Sequence, residues 1–470
     1  MIDARRDGRT TLQKYSHLLV ATVALVAAIG CGKTENGASD SASAASSTPA
    51  VSSVACASDN GGITLPDGFC ATIFADTLGH ARHLVAAPSG AVYVNTWSGS
   101  YYSGPTHAGG FLVALRDTNN DGKADIIKRF GPTASENNGG GTGIGLFSGG
   151  LYAEEGDSSA KRIVRYAIST DSMTPSGTGS QIVVNGLPAK GDHPMHPFVI
   201  TSGGDIYMDV GSATNSCQVK NRTLNSPGNK PCTELQTRGG IWRYDANKTN
   251  QKFSPAERYA TGIRNAVGIA LDGSGQLYST MHGRDQLYDN WPKIYTSTQG
   301  QNLPAEELLR IEKGADYGWP YCYYDNVQQK LVQAPEYGGD GKKVGDCGSK
   351  KGPEAFFPAH WAPDGLLIYT GTQFPAHYQN GAFVAFHGSW NRAPGPQQGY
   401  LVAFVPFNGG KPADPSKYEI FADGFAGGTK DPDRAAHRPT GLAQGPDGAL
   451  YIADDKGGRV WKVVYKGSAK

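Results

Sequence analysis

The stretch GIRNAVGIALDGSGQLYSTMHGRDQ, residues 262–286, decides how the chain is read. Arg264 and Asn265 lead into an apolar run at 267–271. Asp-Gly-Ser-Gly at 272–275 reverses the chain, since these residues tolerate the backbone angles of a tight hairpin turn. A second apolar run returns at 277–281 and ends in His282, Gly283, Arg284 and Asp285. Two β-rich runs around such a turn read as a hairpin. The hairpin brings Arg264 and the segment 282–285 to one end, where a site can rest on rigid strands.

The same turn recurs along the chain. It appears as PSGAVYV at Gly90, FSGGLYA at Gly150, TSGGDIYM at Gly204, GSGQLYS at Gly275, PDGLLIY at Gly365 and PDGALYI at Gly448. Each is followed by a second, basic-apolar strand: LVALRD from Leu112, IVRYAI from Ile163, IWRYDA from Ile241, LLRIEK from Leu308, LVAFVP from Leu401 and VWKVVY from Val460. Six repeats of a few strands each predict an all-β fold, a six-bladed β-propeller. The alternative is a β-sandwich or stacked β domains with coincidental Gly turns. The segment 68–74 is expected to start the ring and the strand near Val464 to complete it.

Counting back ten residues from the turn glycine lands on His80, Pro194, Asn265 and Arg438 in four of the units, with His193 and Arg264 one further back. In a propeller these positions precede the innermost strands and crowd one end of the channel. Buried cations are costly without an anionic or polar ligand, so the shared register marks a candidate site; the alternative is that each pairs with a nearby carboxylate.

Composition narrows the function. Lys+Arg is 43 and Asp+Glu is 42, a net charge of +1 that gives no support for a nucleic-acid partner. Sixty-four Gly and 28 Pro fit a turn-rich chain, and 39% hydrophobic residues suffice for a globular core. At 470 residues one large β domain is as plausible as several ordinary ones. No P-loop, GxSxG or helix-opening GxGxxG occurs.

The first residues read as a targeting segment. Arg5, Arg6, Arg9 and Lys14 precede an apolar run at 18–29, which ends Ala28-Ile29-Gly30-Cys31. This run is short for a membrane span, and its end resembles a bacterial lipobox, the alternative being an ordinary secretory signal. The expected organisation is a signal peptide at 1–31 with lipidated Cys31, a flexible Ser/Ala-rich tether at 32–60, and the propeller at 61–470. The protein is then exported and lipid-anchored in the cell envelope. Six further cysteines, an even number in an exported chain, suggest disulfides. Fifteen pairings are open, and their grouping favours Cys56–Cys70, Cys217–Cys232 and Cys322–Cys347. A structural metal is the weaker alternative, and no CxxCH haem motif is present.

Other constellations carry oxygen, nitrogen and aromatic groups. DTNNDGKAD places Asp117, Asn119, Asp121 and Asp125 at the first, third, fifth and ninth positions with Gly122 at the sixth, a Ca²⁺-like spacing that also fits a plain Asx turn. Glu306, Glu307 and Asp316 read as a solvated acidic loop, with Ca²⁺ as the alternative. In FHGSWNR, a planar cofactor can stack on Trp390 while Arg392 pairs with a carboxylate; the alternative is a packed Trp corner.

GIRN, MHGRDQL, LPAEELLRIEKGADYGWPYCYYD, YTGTQFPAHYQNGAFVAFHGSWNR and RPTGLAQGPDGALYIADD together resemble the quinoprotein sugar dehydrogenases of the soluble glucose dehydrogenase and L-sorbosone dehydrogenase type, closest to the sorbosone branch. The resemblance runs over about residues 65–465 and implies a six-bladed propeller holding pyrroloquinoline quinone (PQQ) and Ca²⁺ at the top of its channel. By it, His193 in GDHPMH is the general base, with His196 as rival. Arg264 and Asn265 contact the quinone, Arg438 is a cofactor arginine, and the Gly283 and Arg284 carbonyls are candidate Ca²⁺ ligands. Arg392 stands where glucose-oxidising members have a lysine. The implied activity is oxidation of a sugar, sugar-derived aldehyde or polyol by hydride transfer. Electrons then leave to a separate acceptor, a cytochrome or a quinone, and the membrane is met only through the lipid anchor. The alternatives are a Ca²⁺-dependent lactonase or esterase, and a non-catalytic propeller that binds sugars or proteins.

Gly32, not Asp, follows Cys31, which under the usual Gram-negative sorting pattern favours the outer membrane, facing the periplasm. Mass spectrometry of the native N-terminus is expected to find diacylglycerol on Cys31; an unmodified terminus cut elsewhere contradicts this.

Overall fold

The computed structural model describes residues 54–96, 109–133, 140–156, 159–168, 172–177 and 179–467. Cys31, the signal segment and most of the expected tether lie outside the described residues.

Six antiparallel sheets radiate from one axis. From the axis outward, blade 1 holds Ala81–Ala86, Val92–Thr96, Leu112–Arg116 and Ile126–Phe130. Blade 2 holds Ile144–Phe147, Gly150–Gly156, Lys161–Ala167 and Gln181–Leu187, with Gln251–Lys252 added in parallel at its edge. Blade 3 is Phe198–Ile200, Asp205–Val210, Gly240–Asp245 and Arg258–Thr261. Blade 4 is Ile269–Leu271, Leu277–Met281, Glu306–Arg310 and Ala355–Phe357. Blade 5 is Pro363–Ile368, Ala382–Phe386, Leu401–Val405 and Glu419–Ala422, and blade 6 is Pro439–Gln444, Leu450–Asp454, Val460–Tyr465 and Phe69–Ala75. Each innermost strand touches those of the two adjacent blades, blade 6 meeting blade 1, so the ring is closed.

Phe69–Ala75 does not open blade 1, as its place in sequence suggests. It is the outer strand of blade 6, paired Phe69↔Tyr465 and Cys70↔Val464, and so seals the ring with the far end of the chain. Ring closure leaves only short innermost edges, protected where they face one another around the channel. Residues 54–60, the last of the expected tether, are already docked: Val54 is buried beside Phe74 and Leu78, and Cys56 is bridged to Cys70. The other two bridges are Cys217–Cys232 and Cys322–Cys347.

The quoted hairpin forms as read. Leu271 pairs with Leu277 across a turn in which Asp272 Oδ1 accepts from the amides of Ser274 and Gln276. All six basic-apolar runs are the third strands of their blades. The fifth turn is a misreading. Gly365 lies inside the innermost strand of blade 5, not at a hairpin turn. A Cβ there would run into the Thr440 carbonyl oxygen of blade 6, so this glycine serves the close approach of two inner strands. The real reversal of blade 5 comes at Asn380, which adopts φ +60 before Ala382–Phe386. Glu306 and Glu307 are also not a solvated loop: both begin the third strand of blade 4 and are 2% and 1% exposed. Asp316 alone of the three stays near solvent, paired with Lys350 at 2.6 Å.

Between blades, large side chains fill the wedges. Phe383, Phe404, Phe421 and Trp461 are buried in one cluster with Phe69 from the closing strand. Each such ring contributes about 1.5–3 kcal/mol of burial, so the seal rests on packing as well as on the ladder. Replacing both Cys56 and Cys70 by Ala is expected to lower unfolding free energy by about 2–4 kcal/mol, read by urea denaturation. An unchanged midpoint would show that ladder and packing hold the closing strand without the bridge.

Candidate active site

The ends of the innermost strands meet at one mouth of the channel, around a cavity of about 520 Å³. That size lies within the usual range for a cofactor or small-ligand pocket, roughly 300–1,000 Å³. Its wall includes His193, Arg264, Asn265, Gly283, Trp390 and Arg438. The shared register converges there for His193, Arg264, Asn265 and Arg438, but His80 and Pro194 are not on this wall; His80 Nδ1 lies 2.7 Å from the Asp455 carbonyl.

Arg264 is the anchor. It is 3% exposed, its Nη2 donates to Asp285 Oδ2 and Asn215 Oδ1 at 3.0 Å each, its Nε donates to the Asn215 carbonyl, and its Nη1 donates to the Gly283 carbonyl at 3.0 Å. Asn215 closes the frame by accepting from the Asp285 amide and donating to the Asp285 carbonyl. A second arginine, Arg222, reaches Asp285 Oδ2 and Asp192 Oδ2 at 3.0 Å. Burial pushes the Asp285 carboxyl up, but Arg264 and Arg222 outweigh it and hold the group far below the ordinary carboxylate range.

His193 is 8% exposed, and its Nδ1 stands 2.9 Å from Ser212 Oγ and 3.0 Å from the Ser212 carbonyl. The Ser212 hydroxyl donates its hydrogen to the Thr214 carbonyl. Both Ser212 oxygens must then accept, so Nδ1 carries the proton and Nε2 keeps its lone pair for a ligand. Burial, then Arg264, pushes the His193 pKa well below its ordinary value. His196, three residues on, is 1% exposed and bound through Nδ1 to Glu154 Oε1 at 3.1 Å, off the cavity wall.

A further charge network forms the floor. Arg82 Nη1 bridges Asp455 at 2.6 Å and Asp364 at 3.1 Å, His387 Nε2 meets Asp455 Oδ1 at 2.7 Å, and His282 Nε2 lies 3.1 Å from Asp364 Oδ1. Arg438 donates from Nε and Nη2 to the carbonyls of His387 and Gly388 and lies 5.6 Å over the Tyr400 ring. Four arginines, Arg82, Arg222, Arg264 and Arg438, and four carboxylates, Asp192, Asp285, Glu306 and Asp364, line the cavity, so its formal charges cancel.

Six expected site residues lie off the cavity wall. Arg392 turns away from the cavity and donates to the carbonyls of Gln301 and Ala359 and to Asn302 Oδ1, so its fork is not offered to a ligand. The Arg284 guanidinium is bound to both oxygens of Glu336 at 2.6 and 2.5 Å, which leaves only its backbone for a metal role. The Asp117 loop joins the third and fourth strands of blade 1, far along the blade from its innermost strand. There Asp117, Asn119 and Asp121 accept from the amides of Gly122, Asp121 and Lys123, while Asp125 accepts from Thr118, an Asx-type arrangement. Trp390 does sit at the rim, 54% exposed.

The sequence reading missed Arg82, Arg222, His360 and Asp364. Arg82 and Asp364 sit inside innermost strands rather than before them, and Arg222 comes from a loop insertion with no repeat to flag it.

The family model described as TrAA12-like matches residues 63–466. A protein of Borreliella burgdorferi described as uncharacterized is 30% identical over 220 residues, 46% of this chain and 51% of its own length. A pyrroloquinoline quinone-dependent pyranose dehydrogenase of Coprinopsis cinerea is 26% identical over 235 residues, 43% of this chain and 30% of that enzyme. The chain thus spans about half, or less, of the length of these curated relatives. Among solved structures, the Trichoderma reesei carbohydrate-active enzyme of family AA12 superposes with a TM-score of 0.67 at 18% identity, covering 86% of this chain and 98% of that one. The holo PQQ domain of the Coprinopsis cinerea pyranose dehydrogenase gives 0.64 at 20% identity, covering 86% and 97%. At these identities the structural likeness is one of fold. Matched over most of its length, the chain belongs to the TrAA12-like family and shares the six-bladed propeller of the PQQ-dependent soluble sugar dehydrogenases.

Proposed function

We propose that this protein is a PQQ- and Ca²⁺-dependent oxidoreductase that oxidises a sugar, a sugar-derived aldehyde or a polyol, of the sorbosone dehydrogenase type, in the cell envelope. The observation that carries the reading is His193 held with Nε2 unspent on the wall of an arginine-lined cavity.

The residues fit the cofactor. PQQ bears three carboxylates, and planar guanidinium forks suit carboxylates better than ammonium groups do. The cavity's own charges cancel, so a trianion needs a compensating cation. The Gly283 carbonyl and the buried Glu306 carboxylate supply hard oxygen on that wall. Burial raises the Glu306 pKa to about 6, and it forms no salt bridge with any described residue. Bound PQQ supplies the two-electron acceptor for the hydride of the carbinol carbon. His193 Nε2 takes the hydroxyl proton, its ring fixed by Ser212. Arg264, immobilised by Asn215 and Asp285, presents positive charge that needs no rearrangement as negative charge builds. Trp390 offers an apolar face at the rim.

A propeller hydrolase would centre carboxylates and Asn on a metal. It would need no arginine cluster, whereas four arginines line this cavity. Reconstitution with PQQ and Ca²⁺, followed by dye reduction over a panel of aldoses, polyols and aldehydes, tests the proposal; lactone hydrolysis without any such oxidation would replace it.

His193→Ala is expected to lower kcat by ~10²–10⁴-fold with PQQ affinity largely intact. If His196→Ala is inactive and His193→Ala active, the base is misassigned. Arg264→Lys keeps the charge and loses the fork, and is expected to weaken PQQ binding and slow oxidation together.

The His193 pKa also fixes a pH limb. Because burial and Arg264 lower it, the ring stays neutral below the ordinary value near 6.5. The kcat/KM profile is therefore expected to stay flat from pH 8 down through 6.5 and to fall only at lower pH. An acid limb centred at or above 6.5 would contradict this environment for His193.

A further inference from the structure

One corner of the cavity gathers acceptor atoms of His360, Asp285 and Asn391. His360 Nε2 lies 2.9 Å from the Gly300 carbonyl, which can only accept, so the ring hydrogen is on Nε2 and Nδ1 is a bare acceptor. Nδ1 faces Asp285 Oδ1 across 3.9 Å, too far for a hydrogen bond. Asp285 is paired with two arginines through its other oxygen, and so is ionised and also accepts. Asn391 Nδ2 donates to Asp285 Oδ1 at 2.7 Å, which fixes the amide so that its Oδ1 is the free end. That Oδ1 is buried with no hydrogen-bond partner among the described residues.

The backbone is built to hold this arrangement. His360 and Ala362 have φ +66 and +59, left-handed conformations that non-glycine residues adopt at a cost. Ala362 is clamped there, its amide donating to Glu306 Oε1 and its carbonyl accepting from the His387 amide. The segment bends so that the His360 ring, 3% exposed, reaches the cavity wall rather than the blade interior. Buried acceptors left without donors are destabilising until a ligand satisfies them.

We propose that His360 Nδ1 and Asp285 Oδ1, the latter held in place by Asn391, form a specificity site that accepts the hydrogens of two adjacent hydroxyl groups on the substrate. A single hydroxyl has one hydrogen and cannot satisfy two acceptors, whereas neighbouring hydroxyls of a pyranose or polyol present two at hydrogen-bond spacing. The inference rests on the oxidoreductase reading above and sharpens it. The substrate class is a vicinal diol, and a mono-alcohol or simple aldehyde of the same size is rejected because it leaves these acceptors unmet.

The test compares the best aldose of a panel with its 2-deoxy and 3-deoxy analogues, using the PQQ- and Ca²⁺-reconstituted protein. Wild type is expected to prefer the parent sugar over at least one analogue by ~10²-fold or more in kcat/KM. His360→Leu should shrink that ratio to within ~10-fold, and His360→Asn, which restores an acceptor, should recover part of it. Asn391→Leu supplies an independent second variant with the same expectation. Cofactor affinity, read by absorbance titration, should change little in the His360 variants. An unchanged ratio in both leucine variants overturns the proposal, as does a large loss of PQQ affinity with the ratio retained, which would assign the corner to the cofactor. If wild type oxidises no sugar, calorimetry with the parent and deoxy sugars separates the two claims. Diol-dependent binding lost in His360→Leu keeps the specificity site and removes the dehydrogenase reading; no diol-dependent binding removes both.

Discussion

Everything at the channel mouth depends on the buried pair of Arg264 and Asp285. Taking two charges out of water is expensive, and such a pair persists only where further hydrogen bonds complete it. Here Asn215 does so from both sides, bonding the guanidinium, the Asp285 amide and the Asp285 carbonyl. Arg222 adds a second cation to the same carboxylate oxygen. Loss of Asp285 would leave Arg264 without its carboxylate and Arg222 with Asp192 alone. The loop that carries Asn215 and Arg222 also carries Ser212, which orients His193. The Cys217–Cys232 bridge lies within that insertion. One electrostatic frame thus sets the candidate base, the candidate cofactor arginine and an acceptor of the proposed specificity site.

The propeller makes that frame possible by geometry. Each innermost strand enters the ring at the same end, so the residues just before it meet whatever their distance in sequence. Inner strands must approach closely to do this, which is why Gly365 faces the Thr440 carbonyl and Gly441 faces that of Arg82. The closing strand Phe69–Ala75 then locks the first described residues to the last blade. Rigid strands below and loop insertions above divide the labour: the ring fixes positions, and the insertions supply chemistry.

Much of this is legible in the sequence, for identifiable reasons. The third strands are marked by their basic-apolar text, because each lies in mid-blade with one pattern of neighbours. The three disulfides follow the local grouping of the cysteines. His193, Arg264, Asn265 and Arg438 stand out by register, since the repeat measures distance from the turn. The same device fails at Gly365, where PDGLLIY copies the lettering of the true turn at Gly448 while the chain uses the glycine for interstrand packing. It also fails for Arg392, whose motif puts it beside Trp390 but whose long side chain is drawn off by carbonyls of a neighbouring loop. Glu306 and Glu307 misled because acidic pairs usually face water, and only the pairing Met281↔Glu307 reveals a buried strand. His360 has no signal at all: its role comes from a left-handed backbone that no local pattern announces.

The central claim is that the arginine-lined mouth holds PQQ. The most direct measurement is an equilibrium titration of the purified protein with PQQ in the presence of Ca²⁺, followed by the cofactor's own absorbance. Wild type is predicted to bind one PQQ per chain, and replacing both Arg264 and Arg438 by Met to abolish saturation while the folded protein persists by circular dichroism. Failure of wild type to bind PQQ, or binding that survives loss of both arginines, would contradict the account.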